Sequence, residues 1–250
     1  MIRFVAPAVM ALTLISTPVQ ALDLTSMTDA ERTVFRAEVR AYLMDNPEVI
    51  IEAVNVLEQR QAVAESTADQ ALVIQNAAEL FDDGFSWVGG NPDGDITLVE
   101  FLDYRCAYCR RAMPEVAKLL AADGNIRLIV KELPILGDDS ILSSRFAMAT
   151  KLVAGGDAYK QVHDALMAYT GDVSEVALRR VSDGLGLDTD AIIARMEDED
   201  ISNELAQTRA LASKLNISGT PTFVLEDELL RGYLPADQMA ILVSDKRDAK

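Results

Sequence analysis

Ile96-Thr97-Leu98-Val99-Glu100-Phe101-Leu102 runs directly into Asp103-Tyr104-Arg105-Cys106-Ala107-Tyr108-Cys109-Arg110-Arg111. The first seven residues form an apolar run of strand length, and a helical pattern opens at the two cysteines. The chain holds 2 cysteines in all, so they can bond only to each other or to another molecule. A thiol at the first turn of a helix faces unpaired backbone N–H groups and the positive end of the helix dipole. Both favour thiolate over thiol, and the thiolate is the species that attacks disulfides. The segment predicts a redox dithiol at a strand-to-helix junction.

Two other readings of the C-x-x-C pair are weaker. Half of a zinc site would need two further ligands, and the single histidine, His163, lies far along the chain in a pattern that reads as ordinary helix. A structural crosslink would close a very short loop and restrict the unfolded chain little. Within the redox reading, Cys106 is expected at the exposed helix terminus as the attacking thiolate. Cys109, one turn further in, is expected to be shielded and to resolve the mixed disulfide. Arg105, Arg110 and Arg111 flank the pair, either as tuning charges or as ordinary helix-surface residues.

Downstream, the cysteine helix is expected to reach about Ala122, and Gly124 closes it. Ile126-Arg127-Leu128-Ile129-Val130-Lys131 reads as the next strand. Strand, helix, strand in that order predicts a right-handed parallel crossover. Residues 139–216 are helical in pattern, with breaks at Gly155-Gly156, Gly171-Asp172 and Gly184-Leu185-Gly186. Thr222-Phe223-Val224-Leu225 and Leu229-Leu230-Arg231 read as a hairpin around Glu226-Asp227-Glu228, and Pro235-Ala236-Asp237 starts a last helix. Upstream, Asp82-Asp83-Gly84 and Gly89-Gly90-Asn91-Pro92-Asp93-Gly94 form a dense cluster of turn formers that opens this region.

Nearer the start, Phe35, Val39, Tyr42 and Leu43 recur at helical spacing, with Thr28 or Asp29 as N-cap. Asn46-Pro47 restarts a helix, Asn46 capping and Pro47 in the first position. Its apolar stripe is Ile50, Ile51, Val54 and Leu57, and Glu58 to Gln70 continues as a polar helical linker. A helix pair this short cannot build its own core. Its stripes must cover the rest of the chain or a second copy. The first 21 residues, with Arg3, an apolar stretch from Phe4 to Ile15 and Val19-Gln20-Ala21, read as a signal peptide that directs the chain to the periplasm.

The formal net charge is −17 at pH 7. That balance argues against nucleic acid and anionic lipid as partners, because both are bound through Lys and Arg. Half of the residues are hydrophobic, enough for a substantial core.

Three features together carry a resemblance. The stretch Phe101 to Arg111, followed by Pro114, is similar to the active-site segment of DsbA-type thioredoxin-fold proteins. Gly219-Thr220-Pro221-Thr222-Phe223 resembles that family's cis-proline loop, and Glu100 stands where the family has a buried acid. The resemblance implies an α/β thioredoxin fold over residues 86–250 with a helical insertion at about 139–216. It also implies that Thr220 and Pro221 bind an extended substrate chain by strand addition, and that Glu100 accepts a proton near Cys109. Neither metal nor cofactor is implied. One departure matters: strongly oxidising members carry Pro-His between the cysteines, where this chain has Ala107-Tyr108. Without that histidine donor the dithiol is expected to be less oxidising.

Residues 34–61 resemble the N-terminal segment of ScsC-type proteins, so residues 22–85 are read as a helical oligomerisation region and linker. The two resemblances together imply an exported thiol–disulfide oxidoreductase, a homo-oligomer (a trimer) acting as a disulfide isomerase. Its partners would be client proteins with cysteines and a membrane-linked redox protein that resets the dithiol. A monomeric oxidase is the alternative. A copper(I)-binding or holdase module is a third reading, since soft thiolates favour copper(I).

Overall fold

The computed structural model describes residues 25–250, so the expected signal segment, 1–21, lies outside the described residues. The chain divides into two compact units between Gln59 and Arg60. In the first unit, helix α1 (Asp29–Asp45) starts with a capping box: the Thr28 hydroxyl accepts the Glu31 N–H, and the Glu31 carboxylate accepts the Thr28 N–H at 2.8 Å. Thr28, not Asp29, is therefore the cap. The second helix, α2 (Glu48–Gln75), begins in this unit. Asn46 does not cap α2 as expected. Its side-chain amide turns back to donate to the Tyr42 carbonyl at 2.9 Å, the same oxygen that accepts the Asn46 backbone N–H at 2.8 Å, so both groups of Asn46 close the end of α1. No residue of α1 is buried, and Phe35, Val39, Tyr42, Ile50, Ile51, Val54 and Leu57 all stand exposed.

The second unit takes the rest of α2, the short helix α3 (Ala77–Phe81) and everything after it. Residues 60–85, expected to belong with the N-terminal oligomerisation region and its linker (Glu58 to Gln70), thus fall in the larger unit. Val73 and Leu80 are fully buried there, and Arg231 makes a two-pronged ion pair with Asp69 of α2, at 2.9 Å on one side.

Five strands form the sheet: β1 (Trp87–Gly90), β2 (Ile96–Leu102), β3 (Ile126–Glu132), β4 (Thr222–Leu225) and β5 (Glu228–Arg231), in the order β1-β3-β2-β4-β5. Strands β2 and β3 run parallel, with Glu100 opposite Val130 and Leu102 opposite Glu132; the remaining pairs are antiparallel. The cysteine helix, α4 (Ala107–Asp123), joins β2 to β3 and ends at Gly124 in the left-handed region, φ 71°. A residue with a side chain would be strained there. Helix α5 (Asp138–Ala168) is bent at Gly155, whose φ of 85° lies outside the helical range. Helices α6 (Glu175–Gly184), α7 (Thr189–Arg195) and α8 (Glu199–Lys214) complete the insert, and α9 (Ala236–Asp248) closes the chain.

Because side chains alternate along a strand, the sheet splits its residues between two cores. Leu98, Leu102, Leu128 and Val130 pack beneath α4, α5 and α9, while Val99, Phe101, Ile129 and Val224 pack against α2, α3 and α8. Burying a Leu or Phe this completely contributes roughly 2 kcal/mol, so both faces of β2 are strongly fixed. Strand β1 corrects the reading of Gly89-Gly90 as a turn. Both residues pair with β3, and the Trp87 ring lies over Gly89, filling the space a side chain there would need.

Candidate active site

Cys106 is the N-cap of α4, with an extended backbone that turns its sulfur across the open end of the helix. The sulfur accepts the Cys109 N–H at 3.4 Å and, as a thiol, donates to the Thr220 carbonyl oxygen at 3.1 Å. Thr220 precedes Pro221 through a cis peptide bond, so the loop before β4 lies directly against the cysteine. Both cysteines are unbonded thiols. Cys109 is 0% exposed and Cys106 7% exposed. The order of access is the one expected, but Cys106 is far more covered than an exposed helix tip, because the Thr220 loop sits on it. Burial pushes the Cys109 thiol well above its ordinary range, and the nearby Cys106 and Glu100 add to the shift.

The turn that delivers Cys106 is held by Asp103, a residue to which no sequence motif assigns a role. Its carboxylate is wholly buried and accepts the Arg105 N–H at 2.7 Å, the Ser140 hydroxyl at 2.7 Å, and the N–H groups of Ile135 and Leu136 at 2.8 and 3.0 Å. Its carbonyl accepts the Cys106 N–H at 3.1 Å. One side chain thus ties the approach to the cysteines onto the loop after β3. Three of its side-chain partners lie more than thirty residues away, so no local pattern could have singled it out.

The arginines take separate directions. Arg105 donates to the Gly171 carbonyl at 2.8 Å and lies 3.6 Å from Asp139, which links it to the helical insertion. Arg110 donates to the Tyr104 carbonyl at 3.0 Å. Arg111 sits between the Tyr108 and Tyr233 rings, 5.7 and 5.6 Å from their centres. Cation–π contacts of this kind are worth about 0.5–1 kcal/mol at exposed sites.

Beneath the cysteine helix lies a buried polar group that sequence reasoning missed. Glu132, at the end of β3, accepts the Tyr104 hydroxyl at 2.7 Å, the Tyr159 hydroxyl at 2.6 Å and the Ser144 hydroxyl at 2.8 Å. His163 is buried too, its Nδ1 3.3 Å from the Tyr104 oxygen and its ring stacked on Tyr159. It lies within helix α5, as its surroundings in sequence suggest, but on the buried side of that helix. Burial lowers its proton affinity to a pKa of about 4. Glu100 is 4% exposed, and burial, with the charge of Glu132 second, pushes its carboxyl up to about 8. Burial likewise lifts Glu132 to about 7, against the pull of its three hydroxyl donors. Among the described residues, no cluster of three or more His, Cys, Asp or Glu side chains is disposed to hold a metal ion.

The model of DSBA-like thioredoxin domains matches residues 97–244. This chain belongs to the DsbA-like thioredoxin family. A second model, the copper resistance protein ScsC N-terminal domain, matches residues 31–64. A crystal structure of a thioredoxin-like oxidoreductase from Silicibacter pomeroyi DSS-3 is 42% identical, covers 70% of this chain and 99% of its own, and superposes with a TM-score of 0.66. Proteus mirabilis ScsC in a transitional conformation is 27% identical over 90% of this chain and 100% of its own, TM-score 0.66. Among curated proteins, Na(+)/H(+) antiporter NhaA 3 of Salinispora tropica is 32% identical over 136 residues, or 54% of this chain. The chain spans between 21% and 30% of the length of this and the two further curated antiporters it matches. Among the described residues, no helix is long and apolar enough to cross a membrane.

Proposed function

We propose that this DsbA-like protein is an exported thiol–disulfide oxidoreductase, and that it works as an oligomeric disulfide isomerase. The observation that carries the reading is the placement of Cys106. Its sulfur caps α4, accepts a backbone N–H from Cys109 and abuts the Thr220 carbonyl of the cis-proline loop. Helix-end N–H groups and the helix dipole stabilise negative charge at that point.

In the reaction, the Cys106 thiolate attacks one sulfur of a client disulfide. A Cys106–client bond forms, the client S–S bond breaks, and the second client sulfur leaves as thiolate. For isomerisation, that or another client thiolate then attacks a different sulfur, and the final exchange returns Cys106 as thiolate with the number of disulfides unchanged. If the client stalls, Cys109 gives up its proton and attacks Cys106. This releases the client as a thiol and leaves a Cys106–Cys109 disulfide. Resetting the dithiol then takes two electrons from a membrane-linked thiol reductant. Thr220 would pair with the client backbone during these steps, with Pro221 holding it beside Cys106 through the cis bond while its own carbonyl accepts the Gly232 N–H.

Support for an oligomer comes from the first unit, where the apolar side chains of α1 and the start of α2 are uncovered, and from the match of residues 31–64 to the ScsC N-terminal model. Several cysteine sites held in one assembly raise the effective concentration of thiol around a bound client. Support for export is the Arg3, Phe4–Ile15 and Val19-Gln20-Ala21 pattern. The test is recovery of scrambled ribonuclease. The full chain should restore activity in a redox buffer, and Cys106→Ser should not. Equal recovery with the variant would remove the reading.

A further inference from the structure

Two carboxyl groups share the buried face of the sheet under the cysteine helix. Glu100 on β2 is opposite Val130 on the parallel strand β3, and Glu132 follows Val130 by two residues, so both side chains point to the same side. Facing them are Cys109 and Tyr104 from the α4 junction and Ser144, Tyr159 and His163 from α5. The charged groups nearby are otherwise engaged. Lys131 points to the other face, where its Nζ donates to the Glu79 carbonyl at 2.7 Å and pairs with Asp83. Asp103 spends its oxygens on four donors. Arg110 donates to the Tyr104 backbone. His163 is kept neutral by burial. Among the described residues, neither carboxyl has a Lys or Arg ion-pair partner.

We propose that Glu132 is a positioning residue that acts through Glu100: its buried carboxylate makes Glu100 hold a proton more tightly, and so sets the pH at which Glu100 can take the proton of Cys109. The inference rests on the thiol-exchange function proposed above and adds a second acid to it. Three hydroxyl donors favour the charged form of Glu132, and a charged neighbour in a shared buried site disfavours a second negative charge. The elevation of Glu100 and its dependence on Glu132 agree with that ordering. The step itself is a proton transfer: the Cys109 S–H bond breaks, Glu100 carboxylate gains the proton, and the freed thiolate attacks Cys106. A base with an affinity close to neutral pH does this best. The same Tyr104 that donates to Glu132 lies two residues before Cys106, so the acid is tied to the loop that carries the reaction.

The experiment uses the full chain carrying glutathione as a mixed disulfide on Cys106. Release of glutathione, as Cys109 closes the internal disulfide, is timed between about pH 5 and 9. Replacing Glu132 by Gln keeps the size and an acceptor oxygen but removes the charge. The rising limb of the pH profile should move down by about one pH unit, the effect expected of losing a like charge nearby, and Glu132→Asp should restore it. A folded Glu132→Gln protein with an unmoved limb overturns the proposal. Should that variant not fold, carbon-13 titration of the glutamates in the wild type decides. Coupled two-step titration of Glu100 and Glu132 is expected, and independent single steps overturn the proposal. A wild-type chain that forms no mixed disulfide on Cys106 overturns the exchange function itself, a result distinct from an unmoved limb.

Discussion

The Cys106 sulfur lies 3.1 Å from the Thr220 carbonyl oxygen, with the thiol as the donor. Once the sulfur ionises it has no proton to give, and the contact turns from attractive to repulsive. Under the function proposed above, the carbonyl would then be free to accept from a client backbone N–H as the sulfur becomes reactive, which would link substrate pairing to nucleophile activation through one backbone group.

Asp103 is expected to matter more than its position suggests. Replacing it by Ala leaves the Ile135 and Leu136 N–H groups and the Ser140 hydroxyl without their buried acceptor. Buried groups stranded in this way cost about 1–3 kcal/mol each, so a loss of about 3 kcal/mol or more is expected in urea unfolding. Disulfide exchange should slow as well, because the carboxylate that fixes this turn through the Arg105, Ile135 and Leu136 N–H groups is lost, and the same turn's carbonyl holds the Cys106 N–H. A change within about 0.5 kcal/mol, the range of ordinary surface substitutions, would show that the loop is held by other contacts.

Stability should vary with pH in two opposed ways. The Glu100 carboxyl is raised to about 8 from an ordinary 4.5, so the folded protein keeps a proton that the unfolded chain has lost. Its contribution is present below about pH 4.5 and is lost as pH rises through about 8, an effect of several kcal/mol in order of magnitude. His163 works the other way: held near 4 against an ordinary 6.5, it supports the fold above 6.5 and withdraws that support as pH falls through 4. Urea unfolding of Glu100→Gln should show a flatter curve between about pH 5 and 8 than the wild type. Superimposable curves would contradict the burial argument.

Self-association is expected to run through the uncovered stripe of the first unit. Val39→Asp combined with Val54→Asp places charge where apolar side chains would meet. Light scattering should give a multiple of the chain mass for the wild type and a single-chain mass for the variant, and scrambled-ribonuclease recovery should drop with it. A single-chain mass for the unaltered protein would end the oligomer proposal.

How far these features can be read in advance depends on the distance between the partners. The β2–α4–β3 unit, the β4–β5 hairpin and the helical insert are visible because periodicity and turn chemistry are local. The C-x-x-C pair and Gly219-Thr220-Pro221 are visible as motifs, although their meeting at 3.1 Å spans 114 residues. Strand β1 is hidden because Gly89 and Gly90 look like a turn until β3 supplies their hydrogen bonds. Glu132 sits at the end of an apolar run, where a charge ordinarily marks the strand's exit to solvent. Only the hydroxyls of Tyr104, Ser144 and Tyr159, brought in from other elements, make its burial tolerable. Asn46 misleads because capping its own helix and closing the previous one leave the same residue in the same place.

The most direct trial of the account is covalent capture. Cys109→Ser removes the resolving thiol and leaves Cys106 able to attack. Incubated with a disulfide-bonded client, the full chain carrying this change should accumulate client joined to Cys106, released by reductant and located by peptide mass mapping. Capture that also includes Cys106→Ser should give none. Absence of the adduct, or its formation independently of Cys106, would contradict the assignment of that sulfur as the attacking group.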